Sequence, residues 1–195
     1  MKIALGQFAV HPTWEDNARL CQDLIRRAAA AGADLLVLPE GILARDIADP
    51  DLVRRAAQPL DGPFLSQLLD ASRALDLTVI MTVHTPADGG RVWNTQVALR
   101  RGEIIAQYRK LHLYDAFSMQ ESVNVVPGSD VPPLVPVAGM QVGMMTCYDL
   151  RFPELARRLA LDGADVLVVP SAWVKGPLKD CLLYTSDAAD ERSSV

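Results

Sequence analysis

Cys147 is the residue best placed to do chemistry. It closes the apolar run Gln141-Val142-Gly143-Met144-Met145-Thr146 and opens Tyr148-Asp149-Leu150-Arg151-Phe152-Pro153-Glu154. The run predicts a buried strand. Pro153 predicts the first turn of a helix, where its missing N–H costs nothing. A cysteine at such a junction lies beside backbone N–H groups, a setting expected to favour the thiolate and to offer an oxyanion hole. Two more reactive side chains end predicted strands: Glu40 after Leu35–Pro39, and Lys110 after Glu103–Arg109. Strands of one sheet can deliver their end residues to one crevice. A carboxylate in a partly dry pocket can accept the thiol proton. A lysine can stabilise the oxyanion formed when sulfur attacks a carbonyl or nitrile carbon. Glu, Lys and Cys thus form a complete acyl-transfer set without histidine. Blander readings exist for each: a structural cysteine, a loop-capping Glu40, and a solvated Arg109-Lys110 pair.

Composition narrows the classes. The 195 residues suffice for one domain with a sizeable core. The net charge is -5, and Arg26-Arg27, Arg54-Arg55 and Arg157-Arg158 fall on predicted helices as solvated faces, which disfavours nucleic acid as a partner. No apolar run approaches the roughly 20 residues of a membrane span, so no membrane partner is expected. Met1 to Val10 carries one Lys and an apolar stretch broken by Gln7, which reads as a first strand rather than a signal peptide. Cys21, Cys147 and Cys181 lack the spacing of a disulfide framework, and a reducing cytoplasm is expected. His11, His84 and His112 lack metal-ligand spacing. Neither a Gly-rich phosphate loop nor Gly-x-Ser-x-Gly occurs. Neither metal nor cofactor is called for.

The elements that must position these residues follow from periodicity. Trp14–Ala31 predicts a helix stopped by Gly32, followed by the strand Leu35–Leu38. Pro63–Leu75 predicts a second helix. Thr78–His84, Val92–Leu99 and Glu103–Tyr108 predict strands joined by turns at Asp88-Gly89-Gly90 and Arg101-Gly102. Residues 111–133 form a long polar connection of the kind that carries function. A helix at Pro153–Leu161 and a strand at Val166–Val169 follow. Gly32-Ala33-Asp34-Leu35-Leu36-Val37-Leu38-Pro39-Glu40 is echoed by Gly163-Ala164-Asp165-Val166-Leu167-Val168-Val169-Pro170-Ser171. The echo suggests two similar halves around one site, although any α/β protein repeats this grammar. A layered α/β fold is expected.

Four segments carry a resemblance. Leu38-Pro39-Glu40, Arg109-Lys110-Leu111-His112-Leu113-Tyr114-Asp115, Gln120-Glu121-Ser122 and Cys147-Tyr148-Asp149-Leu150-Arg151-Phe152-Pro153-Glu154-Leu155 resemble the nitrilase superfamily of carbon–nitrogen hydrolases over residues 1–179. The resemblance implies a four-layer α-β-β-α sandwich, a catalytic Glu40, Lys110 and Cys147, and a second glutamate, Glu121, that positions substrate and lysine. Leu43-Ala44-Arg45-Asp46, Leu113-Tyr114-Asp115-Ala116-Phe117 and Ala172-Trp173-Val174 with Gly176-Pro177-Leu178-Lys179 resemble the bacterial branch that contains deaminated glutathione amidases. The implied partner is a small-molecule amide, the implied reaction amide hydrolysis through a thioester. Omega-amidase, aliphatic amidase and carbamoylase activities are rivals within the superfamily; a partner-binding scaffold is the rival outside it. The Tyr148 N–H is expected at the oxyanion. Arg151 is expected either to bind a substrate carboxylate or to brace Asp149 or Glu154. Tyr114, Phe117 and Trp173 are expected to line the pocket, and His112 to act as a hydrogen-bonded support. Full-length relatives are expected to be homodimeric.

The resemblance stops after Lys179. Residues 180–195 are expected to be an unrelated tail in which Cys181 carries no meaning. The family continues with a further helix and strands of the second sheet. A sandwich lacking them is expected to expose apolar faces and strand edges, and so to be unstable or to aggregate.

Overall fold

The computed structural model describes residues 1–116 and 119–173. Its first unit is a strand, helix and strand: β1 (Ile3–Leu5), α1 (Trp14–Ala30) and β2 (Leu35–Val37). A short α2 (Leu52–Arg55) and α3 (Pro63–Ser72) precede the long strands β3 (Thr78–Pro86), β4 (Val92–Arg100) and β5 (Glu103–Arg109). These join in a six-stranded sheet ordered β1-β2-β3-β4-β5, with β8 (Val125–Val126) pairing the start of β4. β1, β2 and β3 run parallel, whereas β3–β4 and β4–β5 are antiparallel hairpins. The second sheet has three strands: β9 (Val135–Val137), β10 (Met140–Met144) and β11 (Val166–Val168), with α4 (Pro153–Leu161) crossing between the last two.

Strand alternation sends the two faces of the large sheet into two cores. Leu36, Val79, Met81, Val83, Val97 and Leu99 pack against Ala18, Cys21 and Ile25 of α1 and Phe64, Leu65 and Leu68 of α3. The opposite face, through Leu35, Ile80, Ala98 and Tyr108, meets Val135, Val137, Val142, Met144 and Val168 of the small sheet and Leu155 and Leu159 of α4. Gly143 points the other way from Val142 and Met144. A Cβ there would come within 2.7 Å of Leu167 and 3.3 Å of Leu159, so its absence lets α4 settle on the small sheet. The layers are therefore helix, sheet, sheet, helix, the expected sandwich.

The sequence echo is structural. Gly32 and Gly163 both take positive φ, +69° and +105°, and close their helices with matching bonds: Gly32 N–H to Ala29 O and Ala33 N–H to Ala28 O, against Gly163 N–H to Ala160 O and Ala164 N–H to Leu159 O. The Asp34 carboxylate accepts the Lys2 N–H at 2.6 Å and the Asp165 carboxylate accepts the Gln141 N–H at 2.7 Å. β1–α1–β2 and β10–α4–β11 are thus one unit built twice, each with parallel strands. Their strand ends deliver Glu40, after the second strand of one unit, and Cys147, after the first strand of the other.

The connection 111–133 is more ordered than its polarity predicts. It holds β6 (Asp115–Ala116), β7 (Met119–Gln120), a 3-10 turn at Glu121–Val123, and β8. β9 also escaped the sequence reading, because Pro132, Pro133 and Pro136 mask its pattern; as an edge strand it tolerates Pro136. No helix among the described residues is long and apolar enough to cross a membrane. Residues 180–195 lie outside the described residues.

Candidate active site

Backbone turns at three strand ends aim the reactive side chains inward. After β2, Leu38 N–H bonds Ile80 O, and Gly41 turns the chain at φ +63° with its N–H on Thr82 Oγ1 at 2.6 Å. This turn buries Glu40. At the end of β5 the pleat alternates: Tyr108 and Lys110 point into the core, while Arg109 points out and stacks over Trp93 at 4.3 Å. The Lys110 backbone is fixed on both sides, by its N–H to Asn94 O and by the Gly128 N–H to its carbonyl. The alternation removes the solvated-pair reading for Lys110.

Cys147 begins a 3-10 turn, Cys147–Arg151, that joins β10 to α4. It takes φ +46°, a left-handed conformation that a non-glycine residue adopts at a cost of about 1–3 kcal/mol. Such a bend at a strand end exposes a side chain to a crevice, as in nucleophile elbows. Thr146 and Asp149 form a reciprocal cap around it, and Cys147 N–H bonds Pro170 O at 3.0 Å.

The three strand ends converge. Lys110 Nζ donates to Glu40 Oε1 at 3.1 Å and to Glu121 Oε2 at 2.8 Å. Lys110 and Glu40 are 1% and 4% exposed, which marks a fully dry ion pair rather than a surface one. Asn94 Nδ2 donates to Glu40 Oε1 at 2.9 Å and reaches Glu121 Oε1 at 3.4 Å. The Ala172 N–H donates to Glu40 Oε2 at 3.0 Å. The Tyr114 N–H donates to Glu121 Oε2 at 2.7 Å, so the loop end that carries Tyr114 also holds the second glutamate.

These contacts set the ionisation states. Burial pushes the Glu40 carboxyl up, but the charges of Lys110 and Arg45 and a hydrogen bond from Cys147 outweigh it and hold Glu40 below its ordinary value. Burial disfavours charged Lys110, yet the charges of Glu40 and Glu121 prevail and raise it. Burial pushes the Cys147 thiol up to about 12, and the Glu40 charge adds to this against the pull of Lys110. The resting site therefore holds a thiol beside a carboxylate. The thiolate expected from the junction alone is overturned: a five-residue 3-10 turn supplies too little dipole to offset burial next to an anion. What the arrangement can do is transfer the thiol proton to Glu40 as sulfur attacks.

The support behind the site centres on Asp149, which is fully buried. It accepts from Tyr108 OH at 2.7 Å, Thr146 N–H at 2.9 Å and His112 N–H at 3.0 Å, and its Oδ1 lies 2.8 Å from His112 Nδ1. One carboxylate thus ties the Lys110 arm to the Cys147 turn. His112 also stacks on Phe152 with centroids 3.7 Å apart, the supporting role expected of it. Tyr148 meets Tyr114 edge to face at 5.1 Å. Trp173 is half-buried. Arg151 is exposed and pairs with neither Asp149 nor Glu154. Phe117 lies outside the described residues.

Asn94, the Ala172 N–H and the Asp149 clamp are missing from the sequence reading. Asn94-Thr95-Gln96 is a polar run inside the central strand β4, and all three are buried. A buried polar run in a central strand was the available signal. No group of three or more His, Cys, Asp or Glu able to hold a metal occurs among the described residues.

The family model described as carbon-nitrogen hydrolase matches residues 2–185. The chain is 54% identical over 180 residues to a deaminated glutathione amidase of Escherichia coli O157:H7, covering 92% of this chain and 69% of that protein. It is 34% identical over 190 residues to the deaminated glutathione amidase of Bos taurus, covering 90% of this chain and 57% of that one. A variant of an amidase from Nesterenkonia sp. AN1, solved with the acetamide moiety of fluoroacetamide added covalently at its active site cysteine, superimposes with a TM-score of 0.77 at 27% identity, over 95% of this chain and 71% of that one. The chain belongs to the carbon–nitrogen hydrolase family.

Proposed function

We propose that this protein is an amidase that hydrolyses deaminated glutathione to 2-oxoglutarate and cysteinylglycine through a thioester on Cys147. The observation that carries the chemistry is the buried ion pair of Glu40 and Lys110 beside a thiol held at positive φ. The names of the E. coli and bovine relatives support the substrate.

Glu40 accepts the Cys147 proton as sulfur bonds to the amide carbon. The carbonyl oxygen becomes an oxyanion, met by the Lys110 ammonium and the Tyr148 N–H. That N–H belongs to the first turn of its helix and has no intrahelical acceptor. Preorganised donors of this kind contribute about 3–4 kcal/mol each to acyl transfer. Glu40 then gives its proton to the leaving amine, the C–N bond breaks, and cysteinylglycine departs. Water attacks the thioester while Glu40 takes one of its protons. The acid leaves, and the proton returns to sulfur. Glu121 and Asn94 hold Lys110 and Glu40 in register throughout. The two free cysteines among the described residues, Cys21 and Cys147, suit a reducing compartment such as the cytoplasm.

The test is product analysis. Incubation with deaminated glutathione is expected to release cysteinylglycine without ammonia, and Cys147→Ala to abolish release. Ammonia from simple primary amides with no cysteinylglycine from deaminated glutathione would favour an omega-amidase or aliphatic amidase instead.

A further inference from the structure

The proposed substrate bears carboxylates, yet the buried centre holds two carboxylates, Glu40 and Glu121, against one ammonium, Lys110. An anionic amide entering it needs a further cation. Six arginines of the helices, Arg19, Arg26, Arg27, Arg54, Arg55 and Arg158, are taken by exposed aspartates on the surface. Arg45 is different. It is half-buried, and among the described residues its guanidinium makes one hydrogen bond, Nη1 to Ala172 O at 3.3 Å. No carboxylate among the described residues lies within ion-pairing distance of it; Glu40 and Glu121 are both taken by Lys110.

Its placement is built into the backbone. A Cβ at Gly41 would fall 2.9 Å from Arg45 Nη2, so the guanidinium lies against the peptide that directly follows Glu40. Ala172 links the two side chains: its carbonyl takes Arg45 while its N–H holds Glu40 Oε2. The charge of Arg45 is felt at Glu40 and at the buried His84. A guanidinium offers five donors in a planar fork suited to a carboxylate, and among the described residues most of them are uncommitted.

We propose that Arg45 binds a carboxylate of the substrate at the mouth of the site and thereby sets the preference for acidic amides. This rests on the proposed function. Fork-to-carboxylate contacts of this kind are worth about 10- to 100-fold in binding.

The experiment measures kcat and KM of the wild-type protein, Arg45→Met and Arg45→Lys on deaminated glutathione and on its dimethyl ester, which keeps the amide and removes both carboxylates. Arg45→Met is expected to lower the acid-to-ester ratio of kcat/KM by about 10- to 100-fold, mostly through KM of the acid. Arg45→Lys, which keeps the charge without the fork, is expected to lie between. Equal losses on both substrates, carried by kcat, would overturn the assignment and leave Arg45 as a brace for Ala172 and Glu40. Absence of turnover of deaminated glutathione by the wild-type protein would instead overturn the proposed function and this assignment together.

Discussion

At the scale of single residues, the proposed chemistry starts from a protonated cysteine and an ionised glutamate. With the Cys147 thiol pushed up to about 12 by burial and by Glu40, little thiolate exists at neutral pH. Alkylation by iodoacetamide is therefore expected to show no ionisation step between pH 5 and 9. Its rate should instead fall in acid as Glu40, held below its ordinary value, takes a proton. A step near the free-thiol value would contradict the coupling. Glu40→Gln is expected to lower kcat/KM by at least about 1,000-fold, since both the general base and the anionic partner of Lys110 are lost. Glu40, Lys110 and Cys147 were legible in the sequence because a charged or nucleophilic residue closing an apolar strand is poor packing. Asn94 and Asp149 were not, because a side chain that works by hydrogen-bonding other side chains has no spacing of its own.

At the scale of elements, the site is precise because short strands end in tight, hydrogen-bonded turns. Most of these elements were legible. The helix at Pro153–Leu161 has the predicted bounds, and β3, β4 and β5 extend the predicted strands by one or two residues. β1 shrinks to Ile3–Leu5, since beyond Gly6 the chain leaves its partner β2. The short strands within 111–133 had no visible period, because two residues cannot show alternation. One element contact tests the precision directly. A Cβ on Gly128 would sit 2.2 Å from Arg109 O, immediately before Lys110. Gly128→Ala must therefore shift the backbone that carries the lysine. Activity is expected to fall by about 100-fold, as for a displacement near 1 Å at a reacting group. Circular dichroism and the melting transition should show a folded protein, and unchanged kcat would refute the link between this turn and Lys110.

At the scale of the whole molecule, burying a polar site between two sheets makes stability depend on pH. His84 is 4% exposed, and burial, together with the charge of Arg45, lowers its pKa to about 4. The unfolded chain takes up a proton near 6.5 while the folded one does not until about 4, so stability is lost as pH falls through that window. Between pH 7 and pH 5 the loss is about 2 kcal/mol. Urea titrations at the two pH values should show it, and His84→Gln should remove most of the difference; an equal loss in the variant would assign it elsewhere. The sheet margins carry a second expectation. Leu5 on the edge strand β1 is 78% exposed and Leu161 at the end of α4 is 79% exposed. Leu5→Lys and Leu161→Lys are expected to raise solubility by guarding these margins, with stability changed by less than about 0.5 kcal/mol. Light scattering with a paired melt would check both.

In the proposed reaction Glu40 and Lys110 let Cys147 form a thioester with the substrate acyl group. Rapid-quench mass spectrometry of the protein with deaminated glutathione tests it most directly. A transient 2-oxoglutaryl adduct is expected on the peptide containing Cys147, formed and lost at the rate of turnover and absent from Cys147→Ala. Release of cysteinylglycine at the native rate by Cys147→Ala, with no adduct on any cysteine, would contradict it.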